Sequence, residues 1–455
     1  MCGIVGVVSC GEMVSRERFT AMRDSLSHRG PDGAGLWEGP GVLLGHRRLA
    51  VIDPTPGGHQ PMSTPDGRFV IVYNGELYND ADVRGMLEDV RFSSSCDTET
   101  VLHAAARWGE GAARVLRGMY ALALWDTRER SLLLARDPLG IKPLYWTVAG
   151  SSVVFASEIR ALLEHPGVSA RPDWGVVSSY LSTIRATLGE RTLYEGVRSV
   201  EPGCWVRIGV EEGSVSVSKK SCGIGDVGGA EVGREADGSV GAVVEDSIAL
   251  HLRSDVPWCC LLSGGLDSTI VSTVATERAG RLRTYVSGCP EAGDGLADDF
   301  AYAREAAGAI GSEHEEVPIG RDGFLERWRW MVDRLGMPLC TPNEVAIYEV
   351  SRALRGAGHA VVLSGEGADE LFGGYGMPLG SAWSHFESTA EDVEGDARFI
   401  LGSSAWMPVE GKALFVSPGF WADADRDEAL DGFYRETYRG HLAALGDSAE
   451  GAGLA

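Results

Sequence analysis

The chain has 455 residues, 41 of them basic and 65 acidic, for a formal net charge of -24. That acidic surplus argues against a nucleic-acid or anionic-membrane surface, which needs a basic footprint, and no apolar stretch approaches the roughly 18 residues of a membrane span. Two or three domains are expected from the length; nine scattered cysteines without a C-x-x-C pair fit neither a disulfide framework nor a zinc ribbon, and a soluble, cytoplasmic protein is expected.

The chain opens MCGIVGVVSC, and Ile4-Val5-Gly6-Val7-Val8 has the β-branched enrichment of a buried strand. The run is too short and too weakly flanked for a secretory signal. Cys2 is therefore expected at the amino terminus of the working chain, or one residue from it. Strands broken by Gly, Pro and Asp turns follow to about residue 210, in VIDPTPGG, STPDGRFVIVYNG, MYALALWDTRERSLLLARDPLG and SSVVFASE. They predict an antiparallel α+β domain. A helical pattern, DTETVLHAAARWGEGAARVL, is interleaved, with Asp97 or Thr98 as its N-cap. Residues 211–240 are rich in Gly, Ser and charge without periodicity and read as a partly mobile linker. Over 241–455, VPWCCLLSGG, LRTYVSG and HAVVLSGEGADE each precede a helical pattern, which predicts a doubly wound parallel sheet. After about 378 the periodicity fades.

Two groups of residues carry chemistry. Removal of Met1 would leave Cys2 with a free α-amine of pKa about 8, able to take the thiol's proton without a histidine. Downstream lie HRGPDG, GHRRLAVID, YNGELYN and SSCDTE. Arg48 suits an α-carboxylate clamp, Asp97 an α-ammonium, and Asn74 with the Gly75 N–H an oxyanion hole. Those are the requirements of glutamine hydrolysis. The second group begins with LLSGGLDST (261–269), a glycine turn between strand and helix that offers backbone N–H groups to an anion. It lacks a P-loop lysine, so pyrophosphate and cleavage of ATP to AMP are expected. VVLSGEGADELFGGY (361–375) gathers Glu366, Asp369 and Glu370 at the carboxyl end of another strand. Asp267 and Asp369 are the candidates for Mg²⁺, whereas Glu370 reads as a solvated charge at a helix start.

The first 200 residues resemble the class II glutamine amidotransferases, whose fold is an N-terminal-nucleophile αββα sandwich. Residues 1 to about 377, including SDVPW before the glycine loop and GERTLYEGVRSVEPG before the linker, resemble glutamine-hydrolysing asparagine synthetases of the B type. The resemblance implies Cys2 as nucleophile, Asn74 and Gly75 as oxyanion donors, and glutamine held by Arg48, Leu49, Ala50, Val51, Ile52, Asn74, Gly75, Glu76 and Asp97. His28, a turn-former in HRGPD, reads equally as structural or substrate-facing and is left out. It further implies that Leu262, Val286, Ser364 and Gly365 contact ATP. Ser263, Gly264, Gly265, Asp267 and Ser268 would hold its pyrophosphate, and Glu366 would support adenylate formation or ammonia attack. Glutamine, ATP and aspartate or another carboxylate are the implied small-molecule substrates, with Mg²⁺ as cofactor.

The family's D-R-M-S-M-A…E-A-R-V-P-F-L-D segment and its adenylate lysine do not follow Tyr375, although LFVSPGFWADAD resembles the stretch just before them. Lys412 stands at the wrong place to be that lysine. An incomplete synthetase half is therefore expected, with a homodimer or a completing partner chain left open. The alternatives are a glutaminase whose second half is inactive, amidation of a natural-product carboxylate, and a non-catalytic binding protein.

Overall fold

The computed structural model describes residues 1–211, 214–221, 239–289, 299–388 and 393–451. They form two compact units, the first holding 1–168, 197–336 and 342–365, the second 169–196, 337–341 and 366–455.

The first unit opens with strands β1 (Gly3–Ser9), β2 (Gly33–Gly39), β3 (Val42–Arg48), β4 (Met62–Ser63), β5 (Phe69–Leu77), β6 (Gly118–Asp126), β7 (Ser131–Arg136), β8 (Tyr145–Ala149) and β9 (Ser152–Ala156). Three short strands follow, β10 (Thr187–Leu188) and β11 (Arg191–Thr192) of the second unit and β12 (Arg198–Ser199) of the first; β13 (Cys204–Glu211) and β14 (Ser214–Ser221) then form a hairpin. Within the unit one antiparallel sheet runs β12-β8-β9-β1-β3-β2 and the other β14-β13-β7-β6-β5-β4. Every residue of β1 is buried, because both faces of its sheet are covered. Ile4, Val8, Leu44, Val72, Trp125 and Phe155 fill the space between the two sheets. On the outer face of the second sheet, Ile71, Tyr73 and Leu122 pack with Val101 and Leu102 of helix α3. Helix α1 (Arg16–Asp24) buries Phe19 and Met22 against the other outer face, with α2 (Asp80–Met86), α3 (Asp97–Trp108) and α4 (Ile159–Leu163) completing the helical layers. This is the expected αββα sandwich.

Local readings need correction. VIDPTPGG is a loop with one 3-10 turn at Pro56–Gly58, not a strand, because Pro54 and Pro56 cannot donate to a ladder and Arg48 takes the loop carbonyls. The cap of α3 is Cys96 rather than Asp97 or Thr98; the Asp97 carboxylate instead accepts the Leu77 N–H of β5 at 2.9 Å. β14 lies in the stretch read as linker, its SVSVS alternation pairing it to β13. The rest of that linker, 222–238, lies outside the described residues.

The parallel sheet belongs to the same unit. It comprises β15 (Trp258–Leu261), β16 (Arg283–Gly288), β17 (Glu313–Pro318) and β18 (Val361–Leu363), in the order β17-β16-β15-β18. Helices α6 (Val240–His251), α7 (Leu266–Ala279), α8 (Asp299–Ile310), α9 (Phe324–Leu335) and α10 (Asn343–Gly356) alternate with the strands. Successive strand residues face opposite ways, so Cys259 packs with Tyr285, Val350 and Leu354 while Cys260 packs with Ala275, Leu282 and Leu363. The adjacent cysteines are therefore core residues, and burial raises both thiols to about 12. Strand order reverses at β15, which creates the crevice where such sheets bind ligands.

In the second unit, α5 (Trp174–Thr183), the β10–β11 hairpin, α13 (Val393–Ser404) and α15 (Glu428–Gly451) gather around Val176, Leu188, Leu401 and Leu430; the unit also holds α11 (Ala368–Phe372), α12 (Gly376–Ser388), which packs on α13, and α14 (Pro418–Asp423), which packs on α5. The region after 378 is thus helical although its apolar pattern is weak. Polar ties contribute what the pattern lacks: Asp396 bonds His385 at 2.9 Å and Tyr438 at 3.0 Å. Fully buried Lys412 donates to the Ser178 carbonyl at 2.9 Å and pairs with Asp427. It is a structural cation, in keeping with its exclusion from the site.

Candidate active site

Gly3 pairs with Arg47 in the β1–β3 ladder, which delivers Cys2 to the end of β3. The Cys2 Sγ accepts the Leu49 N–H at 3.4 Å and donates to the Leu49 carbonyl at 3.6 Å. Arg29 Nε donates to the Cys2 carbonyl at 2.9 Å, and Glu158 holds both Arg29 and His28 at 2.9 Å. His28 is thus engaged by a carboxylate of the scaffold. Burial pushes the Cys2 thiol up, while the α-amine one residue away, the Leu49 N–H, Arg48 and Arg29 pull it down. Burial also holds the Met1 amine down to about 5, in its proton-accepting form at neutral pH.

His46, on β3, holds its Nε2 3.2 Å from the Tyr73 carbonyl and so ties the end of β3 to β5. The next residue, Asn74, is buried with its Nδ2 lacking any hydrogen-bond partner among the described residues. Such a donor costs about 1–3 kcal/mol to bury, and it suits an oxygen that becomes an anion. Gly75 has no room for a side chain, since a Cβ would lie 2.5 Å from the Met119 carbonyl.

Glu76 and Asp97 are two buried carboxylates on this wall. Asp97 Oδ2 accepts the Leu77 N–H at 2.9 Å and the Tyr73 hydroxyl at 3.4 Å, and burial raises its pKa. Glu76 Oε1 has no hydrogen-bond partner among the described residues; burial, then the charge of Asp97, raises Glu76 to about 7 against the opposing pull of Lys142 and Arg253. A pair of under-compensated buried acids is a receptor for a cation. An ammonium group arriving there favours ionised Glu76, so its binding expels a proton wherever the free site holds one. Apparent glutamine affinity should therefore fall toward tenfold per unit as pH drops below about 7, and Glu76→Gln should flatten the profile of glutamine KM against pH.

Arg48 is buried and spends three of its five N–H donors on its own loop, at the Thr55 carbonyl (2.8 Å), the Ile52 carbonyl (3.3 Å) and the Asp53 carbonyl. The expected carboxylate clamp thus also shapes the Leu49–Ile52 segment, where the Ala50 N–H donates to Asp32 at 3.0 Å.

Beyond β15, Leu262 is buried and its N–H reaches the Tyr285 carbonyl at 2.8 Å, beside buried Val286. Ser263 and Ser268 hydroxyls lie 3.0 Å apart, and the Gly265 N–H donates to Ser263 at 3.3 Å, closing the loop on itself. Gly265 caps the 14-residue α7 without a side-chain bond, so no cap side chain takes up the first-turn N–H groups. Gly264 adopts φ +82°, and a Cβ there would meet the Tyr302 backbone at 2.5 Å. The loop after β18 closes the other side: a Cβ on Gly365 would touch Asp267 at 2.9 Å, with Ser364 exposed beside it. Gly264→Ala should cost roughly 1–3 kcal/mol of local strain and lower AMP formation at least ~10-fold while glutamine hydrolysis continues; unchanged AMP release would contradict the loop's role.

Glu366, Asp369 and Glu370 fall in the second unit, where Glu370 is exposed and accepts the Tyr375 hydroxyl at 2.7 Å. Among the described residues no group of three or more His, Cys, Asp or Glu is placed to hold a metal ion. Magnesium nevertheless asks for only one or two carboxylates when substrate phosphates supply the rest, and Asp267, in the first turn of α7, is of that kind.

Residues 1–219 match the glutamine amidotransferase domain family and residues 239–438 the asparagine synthase family. The chain is 33% identical to asparagine synthetase [glutamine-hydrolyzing] 3 of Bacillus subtilis, over 95% of its own length and 72% of that protein. It belongs to the glutamine-hydrolysing asparagine synthetase family. A second Bacillus subtilis relative, asparagine synthetase [glutamine-hydrolyzing] 1, is 35% identical over 91% of this chain and 65% of its own length. Asparagine synthetase [glutamine-hydrolyzing] 3 of Arabidopsis thaliana is 31% identical over 82% and 61%. The chain thus spans about two thirds of the length of these asparagine synthetases.

Two members of the glutaminase half escaped sequence reading. Lys142, within DPLGIKPLYW, is buried 3.2 Å from the Met1 sulfur, and burial brings its ammonium down to about 8. Gln60 accepts the Tyr73 N–H at 2.6 Å and bonds Thr98 at 3.2 Å, tying β5 to α3. A lone lysine inside an apolar run was the only signal for the first. The second carried none.

Proposed function

We propose that this member of the asparagine synthetase family transfers the amide nitrogen of glutamine to the β-carboxylate of aspartate at the expense of ATP. The observation that carries the first half is the buried Asn74 Nδ2, which has no hydrogen-bond partner among the described residues. Cys2 Sγ adds to the glutamine carboxamide carbon, its proton passing to an α-amine exposed by loss of Met1, and Asn74 Nδ2 with the Gly75 N–H receives the oxyanion. Collapse breaks the C–N bond, the nitrogen leaves as ammonia, and water hydrolyses the thioester to glutamate. Glu76 and Asp97 hold the α-ammonium, and the free donors of Arg48 reach the α-carboxylate.

In the second half, the Ser263–Ser268 loop receives the pyrophosphate, and Leu262, Val286, Ser364 and Gly365 receive the remainder of the nucleotide. A carboxylate oxygen of aspartate attacks the α-phosphorus and pyrophosphate departs. Ammonia then displaces AMP from the acyl-adenylate, with Glu366 taking the surplus proton. Asp267 and Asp369 are the carboxylates that would hold Mg²⁺, which would offset the charge of the leaving group. We read 1–210 as the glutaminase domain and 241–455 as the synthetase domain. Cys2, Cys10, Cys96, Cys259, Cys260 and Cys289 are free thiols, which supports a reducing, cytoplasmic setting, and among the described residues no helix is long and apolar enough to cross a membrane.

Purified chain with ATP, magnesium, ammonium and a panel of carboxylates tests the acceptor. Aspartate should give AMP and pyrophosphate in equal amounts; AMP with another carboxylate and none with aspartate would overturn the choice of substrate.

A further inference from the structure

The link between α6 and β15, Arg253-Ser254-Asp255-Val256-Pro257, carries the first four residues of the SDVPW motif, to which neither half-reaction gives a role. Arg253 reaches one wall of the glutamine pocket, donating from Nη1 to the Leu77 carbonyl and from Nη2 to Asp80 Oδ2, both at 2.9 Å. Asp255 reaches the other, accepting the Asp53 N–H at 2.8 Å and donating its own N–H to the Val51 carbonyl at 3.2 Å. Between them Ser254 Oγ donates to the Val256 carbonyl at 2.8 Å and accepts the Val256 N–H at 3.2 Å, which sets the turn that aims the two arms.

Both contacts fall on groups that hold the pocket together. Leu77 is caught between Arg253 on its carbonyl and Asp97 on its N–H, so the carboxylate that faces the ammonium is located through the same residue. Asp80 extends the grip into α3 by accepting the Thr100 hydroxyl at 2.5 Å. On the opposite wall Asp53 occupies a left-handed conformation, φ 48°, and its carbonyl and that of Ile52 receive Arg48. Asp255 secures the N–H of this strained residue. The same backbone then runs directly into β15 and the Ser263–Ser268 loop.

We propose that Arg253 and Asp255 are positioning residues for glutamine, the link to the nucleotide-binding strand fixing the spacing between the 49–53 loop and the 74–77 strand. The inference rests on the glutaminase reading of the Cys2 site. Neither side chain touches the reacting atoms. Arg253 and Asp255 are both partly or wholly open to solvent, so the contacts add little to overall stability; their effect is on the width of the pocket.

Steady-state glutaminase kinetics on the full chain test this with Arg253→Met, Arg253→Lys, Asp255→Ala and Asp255→Asn, alongside thermal unfolding. Arg253→Met and Asp255→Ala should raise the glutamine KM roughly tenfold, the size of one charge-assisted hydrogen bond, with kcat within about twofold and the unfolding midpoint unchanged. Asp255→Asn keeps an acceptor oxygen and Arg253→Lys keeps the charge, so each should recover most of the affinity. An unchanged KM, or a fall in kcat together with the unfolding midpoint, overturns the proposal. A wild-type chain that does not hydrolyse glutamine overturns the glutaminase reading and this inference with it, whereas an active wild type beside indifferent variants overturns the inference alone.

Discussion

Cys2→Ala should lower glutamine hydrolysis by on the order of 10⁴-fold or more while amide synthesis from ammonium proceeds at the wild-type rate. The thiol's polar contacts are both to Leu49, one weak bond in each direction, so removing the sulfur disturbs little of the packing; a stability change below about 1 kcal/mol is expected. Nothing nearby substitutes for it. His46 is held neutral by burial, its pKa brought down to about 3, and its Nε2 is committed to the Tyr73 carbonyl. His28 is bonded to Glu158 and to Arg334. Glutamate release is the readout, with AMP formation from ammonium as the control. Persistent glutamate release in the variant would remove Cys2 from the mechanism.

Asn74→Ala should lower kcat for glutamine hydrolysis by about 10²–10³, the usual cost of one oxyanion donor, with a smaller change in KM. The distinguishing readout is stability. If Asn74 were a packing residue, its truncation would destabilise the strand; as an unpartnered buried donor, its loss should be neutral or stabilising by up to about 1 kcal/mol. Loss of both activity and several degrees of unfolding temperature would argue for the structural role.

Much of this architecture is written locally. Ile4–Val8 is a buried strand by composition alone, and SGGLDS announces a turn at a helix start because Gly264 needs its positive φ and Gly265 leaves the helix uncapped. Asn74, Gly75 and Asp97 could be singled out as candidates because glutamine chemistry restricts the residue types that would serve it. What stayed hidden depends on contacts distant in sequence. VIDPTPGG opens with the β-branched pair Val51-Ile52 but is shaped by Arg48 reaching forward to its carbonyls. The helices after residue 378 carry a weak apolar stripe, and their anchors, such as Asp396 with Tyr438, are 42 residues apart. Arg253 and Leu77 are separated by 176 residues, a spacing no local pattern reports.

The central claim is that the two half-reactions are joined in one chain, and nitrogen transfer tests it most directly. The full chain is supplied with magnesium-ATP, aspartate, amide-¹⁵N glutamine and an excess of unlabelled ammonium, and asparagine is analysed by mass spectrometry. The account predicts asparagine enriched in ¹⁵N well above the bulk ammonium pool, in amounts matching AMP. Glutamate without AMP, or asparagine carrying only the unlabelled nitrogen, would contradict it.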